Sequence, residues 1–274
     1  MHTPVLLKET IEALKIKPNG LYIDATFGEG GHTIEISKKG GKVLAIDADF
    51  NQVKCQNLNV KSADGINLIH GNFKDIEKIA KENNFYPVDG ILFDLGLSMR
   101  QLNESGKGFS YKKLTEGLDM RLDGEGVTAG EIINSYSKDQ LYEIFSKYSE
   151  ELDSWPIAQS IIDARRVKKI MTVGDLILAI NKVIKDEKVY SRIFQALRIE
   201  TNDELESLKK GLSGAINILK KDGQVAIITF HSLEDRIVKK FVRENNLRQV
   251  NKKVVKGSRM LRFERSAKLR IICK

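Results

Sequence analysis

Cysteine is scarce, with only Cys55 and Cys273 in 274 residues, far apart and in no Cys-x-x-Cys pair. That excludes a disulfide framework and a cysteine-held zinc site, and it suits a reducing, cytoplasmic setting. Long apolar runs are missing as well. None approaches the roughly 20 residues needed to cross a bilayer, so no membrane partner is expected. The first turns carry Lys8, Glu9 and Glu12, a pattern foreign to a secretory signal. Internal repeats, low-complexity segments and an evident metal-ligand set are also absent. What remains, with 41% hydrophobic residues, is a chain able to bury a sizeable core in one large domain or two.

The net charge of +8 is unevenly placed. From Arg236 onward there are 14 basic residues against Glu244 and Glu264, a surplus of 12, while the remainder of the chain is net negative by 4. A stretch this lopsided points to a polyanion, with RNA or DNA phosphate the natural candidate. Arg265, Lys268 and Arg270 are the residues expected to carry the salt dependence of such binding.

The chain is organised around Tyr22-Ile23-Asp24-Ala25-Thr26-Phe27-Gly28-Glu29-Gly30-Gly31-His32. It reads as a short strand ending in an acid, a glycine-crowded turn and a helix start, the arrangement that collects backbone N–H groups around a nucleotide-type ligand. A second strand, 42–46, ends in Asp47, about 20 residues downstream, where nucleotide-binding folds keep a ribose-binding acid. A dinucleotide fingerprint would need Gly or Ala where Thr33 stands. Asp24, four residues before the first glycine, resembles instead the first motif of S-adenosylmethionine (SAM)-dependent methyltransferases.

In chain order, Val5, Leu6, Leu7, Ile11 and Leu14 space as an amphipathic helix, broken by Pro18-Asn19-Gly20. A helix from His32 to Lys39 follows the glycine turn, and another, with Val53 and Leu58, follows strand two. Further strands are expected at 66–70, with Phe73 beyond its end, and at 88–93, with Asp94 at its carboxyl end. Strands alternating with helices predict a doubly wound, mostly parallel sheet. The rhythm stops after Gln101 for about a hundred residues, too long for an ordinary connection. Helices carrying Ile157, Ile161, Ile162 and then Leu176, Ile177, Ile180, Ile184 predict an inserted helical subdomain, with Thr172 and Asp175 as a capping pair. The expected domains are therefore 1–104 with 205–274, and 105–204. The alternation resumes with a helix over 205–219, a turn at Lys221-Asp222-Gly223, a strand over 224–230, and a helix entered at His231 with Ser232 as N-cap.

Several stretches together resemble the bacterial 16S ribosomal RNA cytosine-N4-methyltransferase family. They are His2-Thr3-Pro4-Val5-Leu6-Leu7, Tyr22 through His32, Asp94-Leu95-Gly96-Leu97-Ser98 with Gln101-Leu102, and Gly108-Phe109-Ser110. Leu118-Asp119-Met120-Arg121, Phe194-Gln195-Ala196-Leu197-Arg198-Ile199, Phe230 through Lys239, and Arg265-Ser266-Ala267-Lys268-Leu269-Arg270 complete the set. The resemblance implies a Rossmann-like SAM-dependent methyltransferase fold with the helical insertion. It also implies methyl transfer to the exocyclic amine of a cytosine in the decoding region of 16S rRNA, with the small ribosomal subunit as partner. The implied cofactor residues are Gly30, Gly31, His32, Asp47, Phe73, Asp94 and Gln101. Met99-Arg100 replaces the usual Ser-Pro, Ser149 a glycine and Asn103 an aspartate, and the segment between Lys240 and Arg265 is short.

Cytosine N4 is a poor nucleophile, because its lone pair is delocalised into the ring. An acceptor near N4–H would localise that pair. Asp94 is the first candidate, its competing role being to bind SAM; His231 is the second, its alternative being a plain helix-entry residue. Phe73 is read either as a cap on the adenine or as a core residue. Phe109 and Tyr111 either receive the extruded base or lie buried in the insertion. A SAM enzyme with another RNA, DNA or protein acceptor, and a non-catalytic SAM- and RNA-binding module, are the competing functions. Monomer and homodimer both remain open.

Overall fold

The computed structural model describes residues 4–54, 65–251, 253–258 and 264–274. It divides into two compact units, Met1–Gly96 with Leu205–Lys274, and Leu97–Glu204. The first boundary thus falls before residue 104, because Leu97 and Leu102 pack on the helical core of the second unit.

The first unit begins with α1 (Leu7–Leu14), β1 (Leu21–Asp24), α2 (Gly31–Lys38), β2 (Lys42–Asp47), β3 (Ile66–His70), α3 (Ile76–Glu82) and β4 (Val88–Asp94). The helix expected after β2 is present over 50–54; its Leu58 lies outside the described residues. The second unit holds α4 (Met99–Glu104), α5 (Ala129–Ser135), α6 (Lys138–Ile144), a π-helical turn at Phe145–Ser149, α7 (Ser154–Val167), α8 (Val173–Asn181) and α9 (Glu187–Asn202). The chain then completes the first unit with α10 (Glu204–Ile218), β5 (Leu219–Thr229), α11 (Ser232–Glu244), β6 (Arg248–Gln249), β7 (Val255–Lys256) and β8 (Lys268–Cys273).

The strand order is β3-β2-β1-β4-β5-β8-β6, with β7 also on β8. The strands from β3 to β5 are parallel, and β8 runs antiparallel to β5. Alternate residues of each inner strand enter opposite cores, as a period of two requires of a sheet covered on both faces. Tyr22, Val43, Ala45, Leu92 and Ile228 join Leu14 of α1 and Ile36 of α2. Ile23, Leu44, Ile91, Phe93 and Ile227 join Ile76 of α3, Leu212 of α10 and Val238 of α11. This is a Rossmann-like, doubly wound fold, and its strand order reverses direction between β1 and β4, the place where such sheets take ligands.

One local expectation is corrected. Lys221-Asp222-Gly223 is no turn between elements but a bulge within β5, where pairing passes from Val88–Leu219 to Gly90–Gln224 and Asp222 adopts φ 63°. The basic terminal stretch, in turn, supplies an inner strand: Leu269 and Ile272 of β8 are fully buried.

In the second unit Ile132, Leu141, Phe145, Ile157, Ile161, Leu176, Ile180, Ile193 and Leu197 form one core. Thr128, Ser137 and Thr172 close capping boxes with Glu131, Gln140 and Asp175, so the predicted Thr172–Asp175 pair starts α8. Phe109 is buried in this core, whereas Tyr111 lies at its edge against Tyr190 and Phe194.

Candidate functional site

The carboxyl ends of β1, β2 and β4 bring three acids to one edge of the first unit. Asp24, buried at the end of β1, accepts hydrogen bonds from Thr33 Oγ1 at 2.7 Å and the Thr26 amide at 3.2 Å. Burial raises its carboxyl to a pKa of about 6. Asp47 accepts from the Gly28 amide at 2.7 Å on one oxygen and the Asp49 amide at 2.8 Å on the other. Burial outweighs those bonds and lifts it to about 7. Asp94 ends β4, its amide donating to Thr26 Oγ1 at 2.6 Å. Burial, reinforced by Asp24 and Glu234, raises its carboxyl well above the ordinary range. Its Oδ1 is buried with no hydrogen-bond partner among the described residues.

The glycine turn that precedes α2 is shaped by its neighbours. Gly30 sits at φ 79°, and a Cβ there would lie 2.7 Å from the Phe27 ring. A Cβ on Gly31 would lie 2.2 Å from Pro4 Cγ, so the start of the chain passes directly over the α2 N-terminus. Val5 continues this strap, and its carbonyl lies 3.1 Å from Nε2 of the buried His32. Gly31→Ala should push Pro4 away and cost about 1–3 kcal/mol of overpacking, read as a lower denaturant midpoint at unchanged slope.

The other ring nitrogen of His32, Nδ1, lies 3.6 Å from Asp94 Oδ2. Burial lowers the imidazole to a pKa of about 4. Donation from Nε2 to Val5 therefore leaves a lone pair on Nδ1, facing Asp94.

His231, rather than Ser232, is the N-cap of α11. Its Nδ1 accepts from the Glu234 amide at 3.4 Å, and its Nε2 lies 3.0 Å from Glu234 Oε1. Glu234, which the sequence reading passed over, is buried and accepts from the Phe230 and His231 amides at 2.7 and 3.2 Å. Its signal was the acid three residues after a helix start, a capping-box pattern. The His231 Nδ1 lone pair is used in the cap, while its Nε2 is buried with no hydrogen-bond partner among the described residues. Phe73 is partly buried and meets Phe93 edge-to-face at 5.7 Å. Gln101 belongs to the second unit, where it and Ser98 close the capping box of α4.

Among the described residues, no lysine or arginine pairs with Asp24, Asp47 or Asp94. An acid edge without a counter-cation repels a triphosphate. It suits a ligand that brings hydroxyl donors and positive charge, and the partnerless Asp94 oxygen is a place for one of them. SAM, with ribose hydroxyls, an ammonium and a sulfonium, has that donor set.

Comparison with known proteins agrees with this chemistry. The chain is 44% identical over 247 residues to a ribosomal RNA small subunit methyltransferase H of Clostridium botulinum (strain Loch Maree / Type A3), covering 87% of this chain and 80% of the relative. It is 45% identical over 254 residues to the protein of the same name from Halothermothrix orenii, covering 89% and 81%. Among solved structures, NSun6 from Pyrococcus horikoshii aligns with TM-score 0.51 at 11% identity, over 99% of this chain and 52% of that one. An rRNA methylase from Streptococcus thermophilus aligns with TM-score 0.50 at 9% identity, over 100% and 98%. Both likenesses concern the fold alone. A family model described as the MraW methylase family matches residues 1–274, and with relatives this close the conclusion is plain: the chain belongs to the MraW methylase family.

Proposed function

We propose that this protein transfers the methyl group of SAM to the exocyclic N4 amine of a cytosine in the decoding region of 16S rRNA, acting in the cytoplasm. Family membership and the names of the relatives support the RNA substrate. The observation that carries the chemistry is Asp94, a carboxyl at the strand-order reversal with one buried oxygen that has no partner among the described residues. Among the described residues no helix is long and apolar enough to cross a membrane.

In this reading Asp47 receives the ribose hydroxyls on the lone pairs left beside the Gly28 and Asp49 amides. The turn at Gly30, Gly31 and His32 lines the site, Phe73 borders it, and Gln101 is included on the family motif alone. SAM supplies an electrophilic methyl. Asp94 then has two tasks, holding the cofactor and accepting a hydrogen bond from the N4 amino group so that its lone pair points at the methyl. Asp94→Asn keeps the shape but accepts a proton no longer, and kcat should fall by about 10²–10⁴.

Radiolabelled SAM incubated with small subunits from cells lacking the gene tests the whole reading. Label in N4-methylcytidine is expected; label in another nucleoside or in protein would replace the substrate, and binding without transfer would remove the catalysis.

Of the three basic residues singled out in the sequence, Arg265 is exposed, while Arg270 and Lys268 meet Asp235. Arg270 is buried, its Nε donating to Asp235 Oδ1 at 2.7 Å, and Lys268 lies 3.7 Å from the same carboxylate. Helix α11 also turns Arg236, Lys239, Lys240 and Arg243 outward. Arg236→Gln, Lys240→Gln and Arg243→Gln combined should reduce the salt slope of RNA binding by about two to three, measured by filter binding across a salt series.

A further inference from the structure

We propose that the N-terminal strap and His32 hold Asp94 as a neutral carboxylic acid in the free protein, and that Asp94 gives up this proton to solvent when a sulfonium cation binds. This rests on the cofactor reading above and adds what that reading lacks, a way to tell charged donor from neutral product.

The geometry is a relay of three groups. Pro4 lies on the α2 N-terminus where Gly31 has no Cβ, which seats Val5 with its carbonyl 3.1 Å from His32 Nε2. A carbonyl accepts only, so Nε2 bears the hydrogen and the neutral ring presents a bare Nδ1. That nitrogen stands 3.6 Å from Asp94 Oδ2. A carboxylate there would face a lone pair, which repels it. A carboxylic acid would face an acceptor for its proton.

The other groups around Asp94 act in the same direction. Asp24 at the end of β1 and Glu234 in the first turn of α11 are both acids that oppose a negative charge on it. Among the described residues His32 of α2 is its sole ion-pair neighbour, and burial keeps that ring uncharged near neutral pH. Among the described residues no cation at neutral pH stands beside the Asp94 carboxyl to favour the anion.

A sulfonium close to Asp94 reverses this balance, because an opposite charge within about 4–6 Å favours ionisation. The proton goes to bulk solvent, and Asp94 becomes an acceptor able to engage an amino group. After methyl transfer the product carries a neutral thioether. Asp94 then takes up the proton that the methylated amine must lose, and the attraction that held the donor disappears. The same residue would arm the site only when the donor is loaded, and would loosen its grip on the spent cofactor.

The sign is definite. Binding that releases a proton strengthens as pH rises, until the free-state pKa of Asp94 is passed.

The test is calorimetric titration of the full-length protein with SAM and with S-adenosylhomocysteine, near neutral pH, in phosphate and in Tris. The dependence of the observed enthalpy on buffer ionisation enthalpy counts the protons. SAM is expected to release about one more than S-adenosylhomocysteine, and Asp94→Asn should erase the difference. His32→Gln, which keeps a donor for Val5 but removes the Nδ1 lone pair, should shrink the difference in proton release between the two ligands. Long-range ¹H–¹⁵N spectra should show His32 as the Nε2–H tautomer, unchanged by either ligand. Equal proton release by the two ligands, or a doubly protonated His32 in the free protein, overturns the inference while leaving the cofactor reading intact. Failure of both ligands to bind overturns the cofactor reading, and this inference with it.

Discussion

Asp47→Ala is expected to abolish measurable SAM binding and to leave the fold standing. The substitution removes both proposed ribose contacts, each a hydrogen bond to a charged acceptor worth about 1.5–3 kcal/mol, so the affinity should drop by more than about a hundredfold. It also releases the Gly28 amide, which the carboxylate holds at 2.7 Å, and so loosens the turn that leads into α2. Asp47→Asn keeps one acceptor oxygen and should lie between the two. Calorimetry reads the affinity and circular dichroism the fold. Because burial raises Asp47 to about 7, it is partly protonated near neutrality, and SAM affinity should gain from raising the pH through that value. Unchanged affinity in Asp47→Ala would remove the ribose assignment.

Arg270→Ala should be among the most destabilising single changes in the first unit, and it should leave the salt slope of RNA binding untouched. Asp235 and Arg270 are both buried and joined at 2.7 Å, with Lys239 Nζ at 3.1 Å from the same carboxylate. Removing Arg270 takes from the buried Asp235 its nearest partner and leaves it only the more exposed Lys239 and Lys268, at a cost approaching the roughly 3 kcal/mol of a broken buried pair. Replacing both, Asp235→Leu with Arg270→Met, should recover part of that loss, since no charge is left in the core. The pair holds Asp235 below the ordinary aspartate range, although burial alone would raise it. A depressed folded-state pKa contributes stability above the unfolded value and loses it as pH falls through the folded one. The penalty of Arg270→Ala should therefore be full at neutral pH and shrink in acid. Urea midpoints of the variants at two pH values check both statements.

These two residues also mark how far the chain could be read before its fold was known. The place of Asp47 at the end of β2 was legible because its signal is local: an apolar strand, an acid at its end and a glycine turn one helix earlier. Arg270 was misread for the same reason. Arg265 and Lys268 stand close by in sequence, and only the pairing of β8 between β5 and β6 shows that the strand is buried from Leu269 to Cys273. His231 and Ser232 exchange the cap role because a cap is decided by backbone geometry at one residue, which composition leaves open.

By itself the sequence determined the alternation of strands and helices, the two-faced burial of the sheet and the helical insertion, since each follows from a period of two or 3.6 along the chain. It also placed Asp24, Asp47 and Asp94 at strand ends, which in a parallel sheet means one edge. Tertiary structure alone decided that Pro4 rests on Gly31, that Val5 fixes the ring of His32, that this ring faces Asp94, and that Glu234 stands among the acids. Those contacts join residues remote in the chain. They depend on strand order and on which face each helix covers, and no periodicity along a single segment encodes either.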